Sequence, residues 1–245
     1  MSFVERSGPF AQQCPNPVKR AIMKQGWFDI AYIHFRYEPE EVQRLLPKGL
    51  SVDIHDGSAW VGLIPFSMRG IGIPHLPSIP YLGSFPEVNV RTYVIRDGVP
   101  GVWFCSLDIN RLVPTAVARA TYGLPYCFGS ARHDRRGNEL HTFVKRRWPR
   151  GEASTQIHLE IGEEITQPTP LEIFLSARWG LYSLSRSKHI RYAPVSHQQW
   201  SLQGAKIISL QDSLIEAAGF GHPRGDAHVM FSAGVPVRVG IPKIS

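Results

Sequence analysis

With 245 residues, 43% of them apolar and 19% charged, the chain is long enough to bury a sizeable core and too hydrophobic to be disordered. Its net charge of +7 admits an anionic partner, but the basic residues are dispersed except at His133–Arg136 and Lys145–Arg150. No recognition-helix or zinc-finger pattern accompanies them, which makes nucleic acid the remotest partner.

Three cysteines (Cys14, Cys105, Cys127) without a CxxC pair argue against a disulfide framework. No apolar run reaches membrane-spanning length and the first residues lack a signal-like apolar stretch, so the expected location is the cytoplasm, away from membranes.

Residues 1–24 are polar and proline-containing and are expected as an arm over a single domain at 25–245. Trp27–Phe35 reads as a strand. Phe28, Ile30, Tyr32 and His34 share one face and Trp27, Ala31, Ile33 and Phe35 the other, so both faces are expected to be covered. Glu38–Leu50 is predicted to hold a short amphipathic helix: Pro39 suits its first turn, Glu40 and Glu41 favour its dipole, Val42, Leu45 and Leu46 form the buried side, and Pro47 and Gly49 end it. Asp56-Gly57 predicts a hairpin between Ser51–Ile54 and Ser58–Met68. Residues 69–84 are rich in proline and glycine yet apolar. That pattern argues against a regular element and for either a lid or pocket wall, or a packed surface connection.

The stretch Phe85–Gly129 carries the chemistry. Its first strand places Val88, Val90, Thr92 and Val94 on one face and Glu87, Asn89, Arg91 and Tyr93 on the other. A polar row can simply face water. Here it is followed by the very apolar Gly101–Leu107 strand, and it reads as the floor of a pocket. Pro114–Tyr122 predicts a small-residue helix capped by Gly123, with Arg119 its only charge, about one turn from Thr115 and Tyr122. A buried arginine needs an acidic partner, and Glu87 is the natural one.

Farther on, Leu140–Trp148 and Thr155–Ile161 read as a β pair around Pro149-Arg150-Gly151, and a short helix is predicted near Pro170. Leu181–Ser185, Ile190–Ala193 and Ile207–Leu210 read as short strands, Ser213–Ala218 as a helical turn, and 227–240 as a last strand with Pro236 at an edge or bulge. Many short strands with few short helices predict an antiparallel barrel or sandwich.

Walker, dinucleotide-binding, GxSxG and HExxH patterns are absent. His222, Asp226 and His228 are weighed as metal ligands, but an exposed loop entering a strand explains them as well; no metal and no cofactor is expected. His34, at the end of an apolar strand face, is a core residue or a pocket wall. Cys127 is read as a buried, inert thiol.

FPEVNVRTYV, GVWFCSLDINR and ARATYGLPY resemble the YqjF-like family of unknown function, which is allied to the acetoacetate decarboxylase-like superfamily. The likeness runs from Trp27 to the last strand. It implies a mainly β, β-rich α+β fold: a highly curved antiparallel sheet closing into a cone-like barrel with an internal pocket and short flanking helices. The decarboxylases use a lysine Schiff base placed just after a helix bearing an arginine and a proline turn. Arg119 and Pro125 match that arginine and proline, but Tyr126 and Cys127 stand where the lysine pair is expected. No lysine occurs between Lys48 and Lys145, and Schiff-base chemistry requires one. Glu87 falls where the superfamily keeps a pocket glutamate.

The expected function is binding or transformation of a small carboxylate or carbonyl compound without a Schiff base. If the chain is an enzyme, a lyase- or isomerase-like activity is expected. Glu87, Tyr126 and Arg119 are the expected catalytic groups, and His34, Asn89, Arg91, Tyr93 and Tyr122 the expected ligand contacts. The alternatives are a non-enzymatic module that senses or sequesters a metabolite and, remotely, an Arg-rich nucleic-acid binder. The sequence leaves self-association into a homo-oligomer open.

Overall fold

Two Asp-Gly pairs turn the chain in its first half. Asp56-Gly57 and Asp97-Gly98 all have positive φ, as a two-residue type I′ turn requires, and that turn matches the twist of the strands it joins. The first leads from β3 (Ser51–Ile54) to β4 (Ala59–Gly72) across an isolated His55↔Ser58 bridge, while β3 takes its ladder from the next strand rather than from β4, so the expected hairpin is not formed there. The second joins β5 (Phe85–Arg96) to β6 (Val99–Ile109) as a hairpin. Before these come β1 (Val4–Glu5), β2 (Ala21–Tyr37) and α1 (Pro39–Gln43). After them come β7 (Tyr126–Arg136), β8 (Glu139–Trp148), β9 (Ser154–Glu164), α2 (Pro170–Ser176), β10 (Gly180–Leu184) and β11 (Ile190–His197). The chain closes with β12 (Gln203–Asp212), α3 (Leu214–Ala217), β13 (His228–Gly240) and β14 (Lys243–Ile244). This computed structural model describes residues 4–5, 11–76, 83–115, 123–149, 151–185 and 187–245.

The hydrogen-bonded order β5-β4-β2-β13-β12-β9-β8-β7-β6 is closed by the β5–β6 pairing into a ring of nine strands. A second closure, β11 on β13 and β10 on β6, makes a smaller ring of β5-β4-β2-β13-β11-β10-β6. The two rings share the wall β6-β5-β4-β2-β13. Most pairs are antiparallel, while β6–β7, β6–β10 and β1–β3 are parallel. The expected mainly β barrel with short helices is the fold observed.

A shared wall has no solvent face, so alternation along it sorts side chains between two interiors. Ala31, Ile33, Val61, Leu63, Val88 and Val90 fill the nine-strand ring. Ile30, Tyr32, Ile64, Phe66, Tyr93 and Met230 face the smaller one, where α2 adds Phe174 and Leu175. The helix is fixed by a capping box: Thr169 Oγ1 accepts from the Glu172 amide at 3.3 Å and Glu172 Oε2 accepts from the Thr169 amide at 2.6 Å.

Several boundaries differ from the sequence expectation. β2 starts at Ala21, inside the segment expected as an arm, and Val4–Glu5 bridges to β3. β4 runs on to Gly72, into the stretch expected to be irregular, because Gly70 takes a φ of +67° and lets pairing resume at Lys24↔Gly72. Trp27 does not share a face with Ala31. Asp29, at φ +50°, makes an irregularity between Phe28 and Ile33 that moves Trp27 into the smaller ring's core. Residues 112–115 are helical, as expected at Pro114; the rest of that predicted helix and residues 77–82 of the proline-rich stretch lie outside the described residues. No helix among the described residues is long and apolar enough to cross a membrane.

Candidate functional site

The smaller ring surrounds a cavity of about 260 Å³. Its walls are mostly apolar, with Trp27, Phe66, Met68, Phe85, Phe104 and Leu107 among them, and its polar groups are few: Glu87, Asn89, Arg91, Tyr126 and Gln25. Glu87, Asn89 and Arg91 of the polar row predicted on β5 thus face this cavity, while Val88 and Val90 face the other core. Ile71, from the proline-rich stretch, is part of the wall.

Glu87 is 1% exposed, and the Tyr126 hydroxyl donates to its Oε2 at 3.2 Å. Burial pushes the Glu87 carboxyl up to about 8, against the lowering pull of hydrogen bonds from Asn89 and Tyr126. At neutral pH it is therefore mostly the neutral acid, able to donate. Burial, and then the Glu87 charge, push the Tyr126 phenol well above its ordinary value, so it too keeps its proton. Trp27 Nε1 and Asn89 Oδ1 are buried without a hydrogen-bond partner among the described residues, and both side chains line the cavity.

Arg91 is 8% exposed. It donates from Nε and Nη2 to the Tyr93 hydroxyl at 3.3 and 3.1 Å, and from Nη2 to the Leu175 carbonyl at 3.1 Å. That carbonyl lies in the last turn of α2, whose dipole favours a cation there. No carboxylate among the described residues pairs with Arg91. With Glu87 neutral, Arg91 is the one cation lining the cavity among the described residues.

His34 and Tyr93 are not at the cavity surface; they brace Arg91 from behind. The Tyr93 hydroxyl donates to the Leu175 carbonyl at 2.7 Å and lies 2.6 Å from His34 Nε2. The tautomer that lets Tyr93 keep its bond to Leu175 has His34 donating from Nε2. Burial, then the charges of Arg91, His228 and Arg178, hold the imidazole well below its ordinary value, so it is neutral. Arg178, ion-paired with Asp53 and lying 4.5 Å over the Tyr93 ring, continues this buried layer. Arg178 and Asp53 carried no sequence signal, since their partners lie 125 residues apart.

Glu87, Tyr126, Asn89 and Arg91 are thus brought together around one space. Arg119 and Tyr122 lie outside the described residues, so the expected Glu87–Arg119 pair does too. Cys127 is buried, with Sγ 3.6 Å from the Pro125 carbonyl. His222 and His228 are not brought together: His222 pairs with Glu216 at 2.7 Å and His228 lies 3.9 Å from Glu172. No lysine lines the cavity among the described residues.

The fold defines the class: the acetoacetate decarboxylase-like fold. The chain aligns over 97% of its length, and 98% of the other's, with the enduracididine biosynthesis enzyme MppR complexed with pyruvate (TM-score 0.65, 13% identity). It aligns similarly with acetoacetate decarboxylase from Legionella pneumophila (TM-score 0.61, 12% identity, 94% and 92% covered). An acetoacetate decarboxylase-like enzyme from Sphingomonas wittichii RW1 also matches (TM-score 0.61, 12% identity, 91% and 93% covered). Within that fold the chain belongs to the DUF2071 family, described as an uncharacterized conserved protein, which matches residues 24–236. It is 30% identical over 206 residues to the uncharacterized protein YqjF of Bacillus subtilis strain 168, covering 84% of this chain and 85% of that one.

Proposed function

We propose that the cavity binds a small carboxylate that also carries a carbonyl group, and acts on it, if at all, without a Schiff base. The observation that carries this reading is Arg91, a buried guanidinium at the cavity wall with no carboxylate partner among the described residues. An uncompensated buried cation is costly, and a ligand carboxylate would relieve that cost with charge-assisted hydrogen bonds. At the other end, neutral Glu87 and Tyr126 supply protons to a carbonyl oxygen or to the enolate formed from it. The pyruvate complex of MppR supports the same class of ligand.

Four residues at about 3.3 Å each separate Glu87 from Arg91, roughly 13 Å along β5, and the Arg91 guanidinium leans toward Tyr93 rather than Glu87. A ligand touching both ends is therefore longer than a three-carbon acid, with an apolar body to match the walls.

The test is a thermal-shift screen of oxo acids of increasing length on wild type and on Arg91→Met. Stabilisation that grows with an apolar chain and vanishes in the variant supports the reading, because a ligand of the folded state raises Tm by mass action. No shift with any carboxylate removes it. For a ligand so found, Tyr126→Phe separates catalysis from storage: loss of turnover with affinity kept marks an enzyme, and no turnover in the wild type marks a binding module.

A further inference from the structure

We propose that Glu139, His141 and His158 form a binding site for a transition-metal dication of the Zn²⁺ class on the outer face of the nine-strand ring. β8 and β9 are antiparallel neighbours in which His141 stands directly opposite His158, and Glu139 directly opposite Glu160. Leu140, Val144, Ile157 and Leu159 point into the core, so these four polar residues share the outer face as a block of two imidazoles beside two carboxylates. Placing like groups opposite one another is the unfavourable way to fill cross-strand positions. Swapping partners would have given two favourable Glu–His pairs. A dication turns the arrangement into a favourable one, because it takes both imidazoles and a carboxylate at once.

The distances are close to what such an ion needs. Bonds of about 2.0–2.1 Å in a tetrahedron put ligand atoms about 3.3 Å apart. Glu139 Oε2 lies 3.5 Å from His141 Nε2, and Glu139 Oε1 lies 3.9 Å from His158 Nε2. All three groups offer ligand atoms within 4.8 Å of one another. The two rings are stacked, with centroids 4.2 Å apart, and both Nε2 atoms lie within 4 Å of the Glu139 carboxylate. His158 Nε2 is buried and has no hydrogen-bond partner among the described residues, although the ring as a whole is partly exposed. That unpartnered nitrogen, 3.9 Å from Glu139 Oε1, is the second observation that points to a ligand at the cluster.

The neighbouring strands bound the charge. On β7, Asp134 faces His141 and Arg136 faces Glu139; on β12, Lys206 faces Glu160. Arg136 and Lys206 flank the carboxylates, while Asp134 adds negative charge beside the imidazoles. Two nitrogen ligands select zinc, nickel, cobalt or copper over magnesium or calcium. The remaining coordination positions face solvent.

The test uses the full chain without a histidine tag, stripped with EDTA and titrated with Zn²⁺ by calorimetry and with Co²⁺ by visible absorption. One equivalent is expected per chain, with a Co²⁺ spectrum of low coordination number. His141→Ala and His158→Ala are each expected to weaken binding by at least about tenfold, a change of the size that ligand-shell changes produce. All three side chains lie on an outer face, and an unchanged urea midpoint in EDTA confirms that each variant folds. Failure to bind one equivalent overturns the site. So does binding that survives in the double variant, or that appears only when two chains associate.

Discussion

Glu87 has a carboxyl that burial pushes up to about 8 from an ordinary 4.5. Below about pH 4.5 the group is protonated in both the folded and the unfolded chain, so it contributes no pH dependence. Between about 4.5 and 8 the unfolded chain releases the proton and the folded one keeps it, so stability falls as pH rises. Glu87→Gln, a neutral group of the same shape, is expected to be more stable than wild type by up to about 3 kcal/mol at pH 7. The gain should disappear near pH 4. Urea midpoints of the two proteins from pH 4 to pH 9 decide the matter, and a pH-independent difference would mean that Glu87 is not the buried acid described. The comparison isolates Glu87 from His34, whose depressed basicity makes stability fall in the opposite direction, toward acid.

At the scale of elements, one cross-strand row holds the back of the site together. His34 on β2, Gly62 on β4 and Arg91 on β5 stand in register, and His34 crosses over Gly62 to reach Tyr93. A Cβ at Gly62 would sit 2.7 Å from His34 Nε2. Gly62→Ala should therefore displace the imidazole and cost about 1–3 kcal/mol, as overpacking does; a nitrogen-15 shift of His34 reports it directly. An unmoved His34 with unchanged stability would show that the row has slack. The polar face of β5 was legible because the strand pairs with β4 without a break from Phe85 to Thr92 and so keeps its period of two. The placement of Trp27 was not, since a single residue at positive φ, Asp29, reverses the alternation on one side of it. The capping box at Thr169 was legible as far as Pro170, but nothing local says that Leu175 offers its carbonyl to Arg91.

For the whole molecule, the resemblance in sequence implied a barrel, while the double closure rests on pairings between distant strands that no local pattern encodes. For the same reason Glu139, His141 and His158 were invisible: their grouping exists only in the β8–β9 register. The smaller ring is laced lightly along its outer panel. β10 meets β6 only at Leu181↔Val102 and Tyr182↔Trp103, and β11 meets β13 only from Val195↔Val239 to His197↔Val237. The β2–β13 pairing, by contrast, runs from His34↔His228 to Ala21↔Gly240. Segments with few ladder bonds open at lower free energy. Amides of β10 and β11 should therefore exchange with deuterium faster than those of β2, β4 and β13, and a cavity ligand should slow them. Equal protection throughout would leave the cavity without this route of entry.

The wall common to both rings also limits how such a protein can change over time. Side chains on β5 alternate between a dry core and the cavity, so one inserted or deleted residue would send Val88 and Val90 into the cavity and drive Glu87 and Arg91 into the core. Length variation there damages two interiors at once, whereas on β10 and β11 Leu181 and Ala193 line the cavity and Tyr182 and Ile190 pack in a small cluster with Leu50 and Val94, apart from the nine-strand core. Relatives that accept different ligands should keep the length of the β4–β5–β6 segment and differ in it only by replacement. Insertions and deletions should gather in the outer panel.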